Sequence, residues 1–132
     1  MRYRAAFYGI GIVVLVQILA LVFGLYGLFP NFDIPMHFSG GFVMGMLGLA
    51  IHHQMSNSAH NRYHHLHHVL FVVGFTMLIA VAWEFHEYVI DETIGKWNGW
   101  TKTQLSLGDT MLDLLLGGVG SLVAFVIFRK KV

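Results

Sequence analysis

Residues 80–92 read AVAWEFHEYVIDE, and the fold turns on why Glu84, His86 and Glu87 stand at the end of a long apolar run. That run begins near Leu66 and reaches Ile90. As a helix rising 1.5 Å per residue it would be roughly 37 Å long, more than the roughly 30 Å of a bilayer's hydrocarbon core. The stretch is therefore the end of a membrane span that carries ionisable groups inside it. The rest of the chain agrees. Of 132 residues, 56% are hydrophobic and only 11% are charged, and the mean hydropathy is +0.64. That leaves too little polar surface to cover a soluble domain. The absence of cysteine excludes disulfides, thiolate metal sites and cysteine nucleophiles.

Hydropathy divides the chain into four spans forming a single transmembrane domain, residues 1–132: about 5–29, 34–54, 66–90 and 109–128. The first has Gln17 as its only strongly polar member, ends at Pro30-Asn31, and is too long for a signal-peptide core, so it is expected to be retained. Asp33 and Pro35 are placed to open the second. The expected fold is all-α, an integral membrane bundle of four transmembrane helices. Its orientation follows from basic residues. Arg2, Arg4, Arg62, Arg129, Lys130 and Lys131 flank one side, and only Lys96 and Lys102 lie on the other, which predicts that both termini are cytoplasmic. Every carboxylate then falls at the opposite, outer end.

Three short motifs meet at that end: DIPMH with Asp33 and His37, EFHE with Glu84 and Glu87, and DTMLD with Asp109 and Asp113. Spacings of three and four put each pair on one helical face. The depths also match, because Glu84 lies about 9 Å below its helix end and His37 and Asp113 about 5 to 6 Å below theirs. His86, two residues from Glu84, points to a different side of the helix. An ionised group in a span costs on the order of 2.5 to 3.5 kcal/mol, so such groups face a partner, a cavity or water. Below them the same faces become small, with Gly41, Gly45 and Gly48, then Thr76 and Ala80, then Gly117, Gly120, Ser121 and Ala124. Small residues at this spacing allow close backbone approach in lipid. Spans two, three and four should therefore pack together around one pocket.

Carboxylates gathered so closely repel one another, and a cation relieves that repulsion. Asp33, His37, Glu84, Glu87, Asp109 and Asp113 are the candidate ligands of one or two divalent metal ions. An oxygen-rich set with a minority of histidine, His86 ranking behind His37, suits Mn, Fe, Mg or Zn. Glu84 and Glu87 are the candidate catalytic residues, with Glu87 as general base. The competing structural reading is a set of capping and inter-helix hydrogen bonds, with Asp33 and Asp109 as helix N-caps and the remaining acids protonated or paired with Lys96 and Lys102.

These residues carry a family likeness. The pattern of Asp33, His37, Phe38, Gly41 and Phe42, then Glu84 and Glu87 flanked by Trp83 and Tyr88, then Asp109 to Gly118, resembles the YjdF-type small bacterial inner-membrane proteins and, through them, the VanZ-like family. That resemblance implies a multi-spanning protein of the prokaryotic plasma (inner) membrane. It brings no reaction with it.

Seven of the nine histidines, His52, His53, His60, His64, His65, His67 and His68, crowd the second connection. They are expected to form a solvated, pH-sensitive or metal-collecting segment on the cytoplasmic side. Tyr88, Trp97 and Trp100 suit an interfacial aromatic belt. The basic flanks suit anionic lipid and form no nucleic-acid patch. Two function classes follow. One is a metal-dependent hydrolase or transferase acting on lipid or lipid-linked substrates. The other is non-enzymatic, either a cation permeation or sensing element or a membrane subunit locked by its polar cluster.

Overall fold

The structure is a computed structural model and describes residues 3–55, 64–100 and 102–129. Its elements in chain order are α1 (Tyr3–Val22), α2 (Leu25–Leu28), α3 (Asp33–Met55), α4 (His64–Ile90), a π-helical turn (Asp91–Gly95), α5 (Lys96–Asn98) and α6 (Leu107–Phe128). Four helical stretches are long and apolar enough to cross a membrane: Tyr3–Val22, Asp33–Met55, Leu66–Asn98 and Leu107–Phe128. With four crossings the start of α1 and the end of α6 lie on one side. The Tyr3 hydroxyl at the start of α1 accordingly donates to the Ala50 carbonyl near the end of α3 at 3.3 Å.

The first span departs from the expected 5–29. Gly24 adopts a left-handed conformation with φ 64°, which ends α1 at Val22 and turns the chain into the four-residue α2. Tyr26 on α2 then donates to Gln17 Oε1 at 2.5 Å, so the polar residue in the middle of the apolar run is buried against a partner brought back by that turn. The third span continues beyond Ile90, because the π-helical turn and α5 carry the helical path to Asn98. The fourth starts at Leu107, two residues earlier than hydropathy suggests. Ser106 caps it, its hydroxyl accepting from the Asp109 N–H at 3.1 Å.

The bundle is held at its centre by glycine. Gly41 of α3 lies directly on the backbone of Gly117 of α6, and Gly120 of α6 lies on the Phe38 carbonyl. A Cβ at Gly45 would stand 2.8 Å from Ser121 Cα. The two small-residue stripes read from the sequence therefore face each other, and α3 and α6 approach backbone to backbone. Helix α4 closes against both, with Thr76 buried and the Ser121 hydroxyl directed to the Val72 carbonyl at 3.5 Å. Helix α1 packs chiefly on α3, through Ala6 against Met46 and Gly9 against Val43. Apolar packing away from the acidic end is completed by Leu49, Val72 and Phe125. Helix contacts therefore form a tight trio, α3, α4 and α6, with α1 laid along one side.

Candidate metal centre

The first turn of α3, the last two turns of α4 before Ile90 and the second turn of α6 meet at one level. His37 is the hub. Its Nε2 is 3.2 Å from Asp33 Oδ1, 3.9 Å from Glu87 Oε2 and 3.9 Å from Asp113 Oδ1, while its Nδ1 is 3.7 Å from Glu84 Oε1. The imidazole is only 8% exposed, and all four carboxyl groups are buried. Carboxylates on both ring nitrogens are matched by N–H donors only in the imidazolium form. Even that form leaves three negative charges uncompensated if all four acids are ionised. Among the described residues, no lysine or arginine is paired with them, since Lys96 and Lys102 both face Glu92, at 3.8 and 2.7 Å. Lys102 is exposed, and its hydrogen bond to Glu92 holds its ammonium above the usual lysine range.

The glutamates are oriented by their outer oxygens. Trp83 Nε1 donates to Glu87 Oε1 at 2.9 Å, and Gln104 Nε2 donates to Glu84 Oε2 at 3.3 Å while also reaching Thr110 Oγ1 at 3.0 Å. Each glutamate thus spends one oxygen outward and turns the other toward His37. Two of the inward oxygens, Glu84 Oε1 and Asp33 Oδ1, are buried and face the imidazole without accepting a well-directed hydrogen bond. Buried acceptors are rarely left so. Two overlapping sets, Asp33–His37–Asp113 and His37–Glu84–Glu87, each bring their ligand atoms within 4.8 Å of one another, a spacing at which one cation can touch all three. The chemistry of these donors fits a hard or borderline divalent ion.

Of the six candidate ligands, five converge and Asp109 does not. Its carboxylate accepts from the Leu105 N–H at 3.1 Å, so it satisfies an amide at the start of α6. The spacing of four did put it on the face of Asp113, but at a helix N-terminus the unpaired amides compete for a carboxylate. Asp33, expected as an N-cap, instead lies within the first turn of α3 and pairs with His37. His86 is exposed beside the Trp83 ring, 5.1 Å between centroids, and turns away from the cluster.

Sequence reasoning did not find Gln104, Trp83 as an orienting donor, or the role of Asp91. Gln104 lies in an aperiodic connection, where only tertiary folding shows its reach. Asp91 did carry a signal, for it continues the stripe of Glu84 and Glu87 at seven and four residues. Its carboxylate is used entirely on the connection above the site, accepting from Thr103 N at 2.9 Å, Thr103 Oγ1 at 3.2 Å and Gln104 N at 2.9 Å. Asp91 thereby seats Gln104 over Glu84. In an Asp91→Ala chain the amides of Thr103 and Gln104 should exchange with solvent on the order of 100-fold faster, as expected for losing about 3 kcal/mol of charge-assisted hydrogen bonding. Unchanged protection in hydrogen exchange would show that something else holds the connection.

At the other end of the bundle His52 and His68 bring their rings to 3.9 Å between centroids. His60 and the side chains of His64 and His65 lie outside the described residues. Tyr88, Trp97 and Trp100 are exposed at the acidic end, as an aromatic belt requires.

Four spanning helices, three of them gathered around a buried carboxylate–imidazole cluster, define a small polytopic membrane protein. The chain belongs to the family described as "Predicted membrane protein (DUF2238)", which matches residues 4–131. No curated protein and no solved structure matches it.

Proposed function

We propose that the cluster holds one or two divalent metal ions and that the protein is a metal-dependent hydrolase or transferase acting on lipid or lipid-linked substrates at headgroup level. The observation that carries this reading is the set of four buried carboxyl groups from three helices around His37, with the inward oxygens of Glu84 and Asp33 turned to the imidazole without a well-directed hydrogen bond. Asp33, His37, Glu84, Glu87 and Asp113 are the ligand set. A divalent ion there supplies Lewis-acid polarisation of a phosphoryl or acyl oxygen and a water of lowered pKa. Glu87, steadied by Trp83, is the general base when it is not a ligand. Mn, Fe, Mg and Zn all suit the donors. The likeness of the three motifs to YjdF-type and VanZ-like proteins, together with the basic flanks, supports a prokaryotic plasma (inner) membrane location with the cluster on the outer side.

Elemental analysis of the purified protein tests the reading, with anomalous scattering to place any metal found. About one or two equivalents of tightly held metal at His37 are expected. Metal-free protein that remains fully folded would reduce the cluster to a lock between helices. Trp83→Phe should keep the fold and weaken metal binding by roughly 10-fold, the effect of removing a hydrogen bond to a ligand.

A further inference from the structure

Below His37 a cavity runs between α1, α3 and α4, walled by Val14 of α1, Met44 of α3 and Ile79 of α4, with His37 and Gly40 at its upper part. Met44 is seven residues below His37, so the cavity descends about 10 Å, most of the way from the cluster to the bilayer centre. It is not sealed on the side of its α1 and α4 walls, where Val14 is 42% exposed and Ile79 half-buried. In a bilayer this opening faces hydrocarbon.

The polar residues on the wall are already engaged. The Thr76 hydroxyl donates to the Val72 carbonyl at 2.9 Å, Tyr26 donates to Gln17, and Trp83 donates to Glu87. Along its length the cavity therefore offers little to water or to a moving cation, and only His37 brings the polar cluster to it. A slot that is apolar along its depth, open sideways to lipid and polar at one end matches an amphiphile with its head at that end.

We infer that this cavity seats one acyl tail of a membrane phospholipid, placing the headgroup against the His37 cluster. The inference deepens the metal-dependent reading and rests on it only for what the headgroup meets. Gly40 provides the test. A Cβ there has no atom within 4 Å and Gly40 lines the cavity, so Gly40→Leu adds bulk to the slot, whereas Gly11→Leu adds the same bulk on an open, exposed face of α1. Val14→Phe fills the slot from the opposite wall and serves if Gly40→Leu folds poorly.

The full-length protein is reconstituted in phosphatidylglycerol nanodiscs containing a phosphatidylglycerol with a mid-chain diazirine. After irradiation, adducts are mapped by mass spectrometry, and metal content and oligomeric state are measured on the same samples. Adducts on Val14, Met44 or Ile79 are expected, falling at least about fivefold in Gly40→Leu and Val14→Phe and unchanged in Gly11→Leu, consistent with occlusion of a filled pocket. Adducts spread evenly over the lipid-facing surface, or undiminished in both filled variants, overturn the inference. So does a change of oligomeric state in the filled variants, which would make a second copy of the chain the occupant. Metal-free protein with cavity adducts intact would sink the metal-dependent function while leaving the tail seat supported.

Discussion

A Gly41→Ala chain is destabilised by on the order of 3 kcal/mol in detergent, more than a single added methyl usually costs, because the new Cβ meets backbone. The atoms it meets are the Gly117 carbonyl oxygen, Cα and carbonyl carbon. A flexible side chain could rotate aside, but a helix backbone moves only as a whole. Helix α6 must then withdraw from α3, which also takes Asp113 away from His37. Gly40→Ala is the control one residue away. Its Cβ meets nothing, and replacing glycine inside a helix gains about 0.5–1 kcal/mol, so this variant should be as stable as the parent or more so. Unfolding monitored by circular dichroism against increasing sodium dodecyl sulfate separates the two. Equal stability of the two variants would show that α3 and α6 do not approach as described.

His37→Ala should abolish tight metal binding, lowering affinity by more than the roughly 10- to 100-fold expected for loss of an outer hydrogen-bond partner such as Trp83. The imidazole belongs to both three-residue sets, so its removal takes a ligand from each. Glu84→Gln should also weaken binding strongly while leaving an amide that still fits beside Gln104. Asp109→Asn, by contrast, should keep the metal and change only helix stability, by about 1 kcal/mol or less, because its carboxylate serves the Leu105 N–H. Metal titration followed by calorimetry reads all three. If Asp109→Asn lost metal as completely as His37→Ala, the cluster would have to include a carboxylate that the folded chain directs elsewhere. If none of them changed metal content, the buried acids would have to be held by hydrogen bonds alone.

Much of this arrangement is legible in the chain before it folds. Apolar length gives the number of spans. The matched depths of His37, Glu84 and Asp113 bring three polar motifs to one level, and the glycine stripes beneath them mark the faces that pack. Each of these is a periodic or additive property of local sequence, so it survives in the helix that the sequence forms. The break at Gly24 was less legible, because hydropathy over residues 5–29 is continuous and a left-handed glycine leaves no trace in an apolar average.

Other features depend on which neighbour arrives first at a given polar group. Asp109 and Asp113 are chemically alike and share a helical face, yet one is taken by an amide at the start of α6 and the other by His37. Asp91, Glu87 and Glu84 form one stripe, yet the Thr103–Gln104 connection claims the first. Periodicity assigned these residues to a face and a depth, and nothing more, since the sequence shows every acid with the same two oxygens. Their division between capping, clamping and a shared centre arose when α3, α4 and α6 closed on glycine contacts that leave no room for another register.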